Sequence, residues 1–241
     1  MRNRIYLDHA ATTPVAPEVL EAMMPFFTES WGNASAVYAT GREARRAVED
    51  ARKQVAEAIG AQPQEICFTS GGSESDNQAI RGTAWALKEK GKHIITTAVE
   101  HHAVLTPCLQ LQKEGFEVTM IRPDREGRID PENVRRAIRK DTVLISVMTA
   151  NNEIGTLQPV SEIGRICKEN GIVFHTDAVQ AVGAVPVDVN GTGCDLLSLS
   201  AHKFYGPKGI GALYIRQGTR LMPLISGGEQ ERGLQIGRAH V

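Results

Sequence analysis

Short apolar runs alternate with stretches of helical periodicity along almost the whole chain, and this alternation restricts the fold most. Residues 65–70, 93–99, 116–121, 142–149, 171–177, 194–199 and 210–215 read as strands rich in Ile, Val, Leu, Phe and Thr. Helical patterns lie near 17–27, 42–59, 73–90, 102–114, 131–139 and 160–170. The second is the clearest: Ala44, Ala47, Val48, Ala51, Val55, Ala58 and Ile59 form one apolar stripe, and Gly60 supplies a stop. Such alternation predicts helices covering a mostly parallel sheet, a single α/β domain. The near-continuous apolarity of 142–149 suits a central strand. In sheets of this kind ligands bind beyond the carboxyl ends of the strands, so the informative residues should follow the strands closely.

Composition narrows the function classes. The 241 residues are 41% hydrophobic and 23% charged, enough apolar sequence to bury a sizeable core. Lys+Arg 27 against Asp+Glu 28 leaves a formal charge of -1, so no nucleic-acid partner is expected without a local basic patch. No apolar run approaches the roughly 20 residues of a membrane span. Met1-Arg2-Asn3-Arg4 runs into Asp8-His9 without the apolar core of a signal peptide, so no membrane association and a cytoplasmic location are expected. Cys67, Cys108, Cys167 and Cys194 are scattered, with no CxxC pair and no His at zinc-ligand spacing. They read as small buried hydrophobes, with nothing local to activate a thiolate and no metal site implied.

Four segments after strands carry chemistry. Phe68-Thr-Ser-Gly-Gly-Ser-Glu-Ser-Asp76 leads through two glycines into a helix. Close backbone approach and unpaired helix N–H groups can hold an anion; the alternative is an ordinary turn with Ser73 as N-cap and Asp76 three residues on. It matches neither GxGxxG nor GxxxxGK[ST]. Val99-Glu100-His101-His102 offers a histidine that could stack on a planar ligand or move protons, or simply start a helix at the surface. Asp177 closes an apolar strand in Phe174-His-Thr-Asp-Ala-Val-Gln180, where a carboxylate needs a cation or donors; a salt bridge or helix cap competes. Asn151-Asn152-Glu153 stands at the equivalent level of the sheet. Lys203 lies in the Ser/His/Gly-rich turn of Ser198-Leu-Ser-Ala-His-Lys-Phe-Tyr-Gly-Pro-Lys-Gly209. A partly desolvated lysine can form a Schiff base with a carbonyl, whereas a solvated loop lysine is the ordinary alternative.

These parts fit one ligand. Pyridoxal phosphate needs an anion cup, a Schiff-base lysine and a carboxylate for its pyridinium nitrogen.

Tyr6-Leu-Asp-His-Ala-Ala-Thr-Thr-Pro14, Thr69-Ser-Gly-Gly-Ser-Glu-Ser-Asp-Asn77, Val99-Glu-His101, Ala150-Asn-Asn-Glu-Ile-Gly155, His175-Thr-Asp-Ala-Val-Gln180 and Ser200-Ala-His-Lys-Phe-Tyr-Gly-Pro-Lys208 are closely similar to the cysteine desulfurases. These are class V aminotransferase-like enzymes of fold-type I, and the NifS/IscS branch resembles the chain most. The resemblance implies a three-layer αβα large domain with a mostly parallel mixed sheet, the small C-terminal domain being absent. It makes Lys203 the Schiff-base lysine, Asp177 the partner of the pyridine nitrogen and His101 the stacking ring. Gln180 would donate to the ring hydroxyl, Asn152 would lie near ring and substrate, and Gly72, Ser73, Ser200 and His202 would hold the phosphate. Ser73 stands where many relatives carry Thr, which keeps the hydroxyl.

The same resemblance implies conversion of L-cysteine to L-alanine, with sulfur carried as a persulfide to a sulfur-acceptor protein for iron–sulfur or thiolation pathways. Such enzymes are homodimers. Their catalytic cysteine and substrate-clamping arginine belong to segments this chain does not reach, so no nucleophile is assigned and the 241-residue chain is expected to be inactive alone. Residues 1–14 read as an N-terminal arm and 15–234 as the pyridoxal-phosphate-binding large domain. Ile236 to Val241 can be encoded by ATC GGA AGA GCA CAC GTC, which matches a sequencing-library adapter, so 235–241 are expected to be a non-native tail. Two alternatives stand beside this reading: another class V enzyme such as a selenocysteine lyase, and a non-catalytic nucleotide-binding module using Gly71-Gly72. The second leaves Lys203, Asp177 and His101 without a common purpose.

Overall fold

The structure, a computed structural model, describes residues 5–225 and Glu231. The expected non-native tail at 235–241 lies outside them. Seven strands form one sheet: β1 (Ile66–Thr69), β2 (His93–Thr97), β3 (Glu117–Ile121), β4 (Thr142–Ser146), β5 (Val173–Asp177), β6 (Leu196–Ser200) and β7 (Gly211–Ile215). Each falls within a stretch the apolar pattern marks, except that β6 runs one residue further, to Ser200. Their order is β1-β7-β6-β5-β4-β2-β3. The pairs β3/β2, β2/β4, β4/β5 and β5/β6 are parallel, and β7 runs antiparallel to both β6 and β1. The sheet is therefore mixed but mostly parallel, and β4 is interior.

Helices α1 (Pro17–Thr28), α2 (Ala39–Ala58), α3 (Gly72–Leu87), α4 (His102–Lys113), α5 (Pro131–Ala137), α6 (Val160–Asn170) and the one-turn α7 (Val189–Thr192) complete the described elements, with 3₁₀ turns at 63–65 and 201–203. The turns and α7 are too short to leave a period in the sequence. Successive strand side chains point to opposite faces, and both faces are apolar, as a sheet covered on two sides requires. Ile94 and Leu144 pack with Ile80, Ala84 and Leu87 of α3 and Val104, Cys108 and Leu111 of α4. Ile95, Ile145, Phe174 and Leu197 face the other way, onto Val134 of α5, Ile163 and Cys167 of α6, and Ile59. The result is three layers, αβα.

The stripe on α2 is rotated from its expected position. Gly41, Ala44, Arg52 and Ala56 are its buried residues, whereas Ala51 and Ala58 are exposed. Arg52 can turn inward because its guanidinium is satisfied: Nη1 and Nη2 donate to both oxygens of Glu231 at 2.7 and 2.6 Å, and Nη1 also donates to the Ile66 carbonyl at 2.8 Å. Gly60 follows with φ +71, a left-handed conformation that ends the helix without strain. Among the described residues, no helix is long and apolar enough to cross a membrane.

Candidate active site

The carboxyl ends of β1, β2, β4, β5 and β6 point toward one edge of the sheet, where a cavity of about 440 Å³ opens. Gly72, Ser73, His101, Asn152, Asp177, Gln180, Ser200, His202 and Lys203 all line it. The parallel register thus brings together nine residues spread through the sequence from 72 to 203.

The glycine loop after β1 sets one wall. Gly71 caps α3 and has φ +147, and a Cβ on Gly72 would lie 2.6 Å from Cγ2 of Val179. Only glycine lets the α3 N-terminus approach the β5 loop this closely. The helix begins at Gly72, so Ser73 is not its N-cap and the Ser73/Asp76 capping alternative does not hold. Glu74 Oε2 accepts from the Ser70 N–H, ahead of the Gly71 cap, at 2.7 Å, and Ser73 is left exposed. A second hollow, about 340 Å³, adjoins the first and shares Gly72, Ser73, Ser200 and His202 with it. Those four surround the positive end of α3, where an anion is favoured.

Asp177 is the last residue of β5 and is 5% exposed. Its Oδ1 accepts from the Val179 N–H at 2.9 Å. Burial pushes its carboxyl above the usual range, opposed by that N–H and by the nearby His101 and Lys203 side chains. His101 starts α4 as its N-cap, its Nδ1 accepting from the Ala103 N–H at 3.1 Å, and the exposed residue also lines the cavity. Asn152 Nδ2 donates to Glu153 Oε1 at 2.7 Å.

Lys203 ends the 3₁₀ turn after β6, with its ammonium held by the N-terminal arm. Nζ donates to the carbonyls of Ala10 and Ala11 at 2.5 and 3.0 Å, and Gln180 Nε2 donates to the Ala10 carbonyl at 2.9 Å. Desolvation lowers the lysine pKa, partly offset by Asp177 and Asp8. His202 Nδ1 meets Thr12 Oγ1 at 3.0 Å, and burial together with Lys203 and Lys208 keeps its pKa down.

Sequence reasoning gave Glu100 no role and Asp76 only that of a possible capping partner. Both are buried, and Asp76 lines the cavity. Glu100 accepts from Thr97 Oγ1 at 2.8 Å and the Met148 N–H at 2.9 Å, and desolvation pushes it up to about 8. The available signal was an acidic residue in each of the segments 68–76 and 99–102, but only the fold shows that both turn inward. All four cysteines are buried; burial pushes the thiol of Cys108 up to about 12 and that of Cys194 up to about 11, away from a reactive thiolate.

The sequence matches the aminotransferase class-V family over residues 5–239. The chain belongs to that family. Members of this class-V family are generally dependent on pyridoxal phosphate. The chain is 59% identical over 241 residues to cysteine desulfurase IscS of Dictyoglomus turgidum, covering 100% of this chain and 61% of that protein. It is 57% identical over 237 residues to cysteine desulfurase IscS of Methanosarcina thermophila, covering 98% and 59%. Its fold superposes on a solved NifS-like protein with a TM-score of 0.95 at 43% identity, covering 97% of this chain and 65% of the other. On SspA in complex with cysteine the TM-score is 0.93 at 47% identity, covering 96% and 67%. This class-V chain therefore spans about three fifths of the length of the curated relatives it matches.

Proposed function

We propose that this chain forms the cofactor-binding part of a pyridoxal-phosphate-dependent cysteine desulfurase, which converts L-cysteine to L-alanine and passes the sulfur, as a persulfide, to an acceptor protein. The observation that carries the reading is the convergence of Lys203, Asp177 and His101 on one cavity, beside a glycine-built anion cup. The similarity to cysteine desulfurases and to a protein solved in complex with cysteine supports the substrate class. Action as a homodimer in the cytoplasm belongs to the same proposal.

The residues present fit the cofactor. Gly72, Ser73, Ser200 and His202 would hold its phosphate at the α3 N-terminus. Asp177 would pair with the pyridine nitrogen, which keeps that nitrogen protonated; His101 would lie over the ring, Gln180 would donate to the ring hydroxyl and Asn152 would face the substrate. Lys203 would hold the aldehyde carbon through Nζ, and its lowered pKa favours the neutral amine this requires. When bound, the cofactor supplies an electron sink for the substrate α-carbon. The buried cysteines are poor candidates for the sulfur-accepting thiol, and the proposal assigns that step to none of them.

The test is to add pyridoxal phosphate to the full-length product of this gene. The expected result is a visible band of lysine-bound cofactor that borohydride bleaches and Lys203→Ala abolishes, with alanine formed from L-cysteine and, when an added dithiol reduces the persulfide, sulfide released. A band retained in Lys203→Ala would overturn the lysine assignment. Alanine formation from selenocysteine but not from cysteine would overturn the substrate.

A further inference from the structure

Asp76 lines the cavity, yet the assignments above give it no part. It projects inward from α3 and is 1% exposed. Its Oδ1 has no hydrogen-bond partner. His175 Nε2 lies 3.5 Å from that oxygen, but the histidine is committed elsewhere: Nδ1 meets Ser146 Oγ at 2.8 Å and Nε2 meets Ser198 Oγ at 3.0 Å. Complete burial in β5 keeps the ring neutral, with its pKa pushed down to about 3, so His175 is no counter-ion.

The other titratable groups that act on Asp76 are also acids. Asp177 at the end of β5 and Glu100 after β2 both disfavour its ionised form, burial disfavours it most, and only the Ser198 hydroxyl of β6 favours it. The groups nearby that favour a carboxylate, Lys203 and His101, act on Asp177. A buried, unpaired carboxylate beside a second carboxylate is costly, and a proton on one of the two removes that cost.

We propose that Asp76 is a positioning residue for Asp177: the two side chains hold one proton between them, resident on Asp76, so the cavity floor presents a single negative charge, on Asp177, to the pyridine nitrogen. This inference rests on the pyridoxal phosphate reading. Both residues line the cavity, and a neutral Asp76 adds no second negative charge to it. One negative charge then meets the one positive charge of the ring nitrogen.

The experiment uses the full-length holoprotein. Absence of the visible band in wild type would remove the cofactor reading itself. With the band present, Asp76→Ala is expected to weaken pyridoxal phosphate binding about tenfold and to move the midpoint of the band's pH titration by about half a unit or more. Asp76→Asn, which imitates the protonated acid, is expected to restore both to within about threefold and about 0.3 unit. Unchanged values in Asp76→Ala would overturn the inference, as would a failure of Asp76→Asn to rescue them. Should the variants not fold, carbon-13 NMR of aspartate-labelled wild type decides. One side-chain carboxyl still protonated at pH 7 supports the inference, and all aspartates ionised at that pH overturn it.

Discussion

Lys203 and Gln180 donate to the same acceptor, the Ala10 carbonyl, at 2.5 and 2.9 Å. The N-terminal arm is thereby tied to residues some 170 to 190 positions away. Thr13 is the anchor of that tie. It is 3% exposed; its N–H and Oγ1 donate to the His202 carbonyl at 2.9 and 3.0 Å, and its Oγ1 accepts from the Tyr205 N–H at 2.8 Å. Thr13→Val keeps the shape and removes both side-chain bonds, so it should cost about 1–3 kcal/mol of stability. Denaturant titration measures the loss, and hydrogen exchange at the Tyr205 amide should quicken in parallel. Unaltered exchange there would mean the arm does not brace the lysine turn.

Asp177→Asn separates function from stability at one residue. On the proposed reading, it removes the buried partner of the pyridine nitrogen, a loss of about 3–5 kcal/mol in binding, or at least a hundredfold. Without cofactor the same change deletes a carboxyl whose ionised form burial disfavours. The apoprotein should therefore be as stable as wild type, or more so, at pH 8. Fluorescence titration with pyridoxal phosphate and thermal unfolding of the apoprotein give the two readouts. Equal loss in both would assign Asp177 a structural role.

Much of this site was legible because a parallel sheet orders its ligand residues by chain position. Each chemistry-bearing segment follows a strand, and Lys203, Asp177 and His101 could be placed at the same edge from strand order alone. What stayed hidden depends on contacts distant in sequence. Nothing near Thr13 indicates that it meets His202, and nothing near Arg52 indicates Glu231, so the α2 stripe read as alanine-lined. Asp76 looked like a capping partner because its spacing from Ser73 fits one; the cap is Gly71, and the side chain turns to the core instead. The direction of β7 was also invisible, since an apolar run has the same period in either orientation.

Glu100 gives the apoprotein a definite pH dependence. Its carboxyl is raised from an ordinary value of 4.5 to about 8, chiefly by burial. The folded state therefore binds more protons than the unfolded chain within that interval. The stabilisation is complete below the unfolded value and is lost as pH rises through the folded one, at up to about 1.4 kcal/mol per pH unit. Glu100→Gln retains acceptors for Thr97 and Met148 and cannot titrate, so its stability relative to wild type should rise across this window. Asp76 and Asp177, also raised by burial, leave a residual slope in both proteins. Parallel stability curves from pH 5 to 8 would show that Glu100 is ionised in the fold.

The closeness of Gly72 to Val179 can be tested by exchanging volume between them. Gly72→Ala places a methyl 2.6 Å from Cγ2 of Val179, inside van der Waals contact. The overpacking should cost about 1–3 kcal/mol and push the α3 N-terminus away from the β5 loop. Ligand affinity should fall with it, because an anion site built from helix N–H groups depends on their placement. Val179→Ala removes the clashing methyls, so the double variant should recover part of both losses. A double-mutant cycle in stability and in pyridoxal phosphate affinity measures the coupling. Strictly additive effects would show that the two residues do not press on each other, and that Gly72 is required for some other reason.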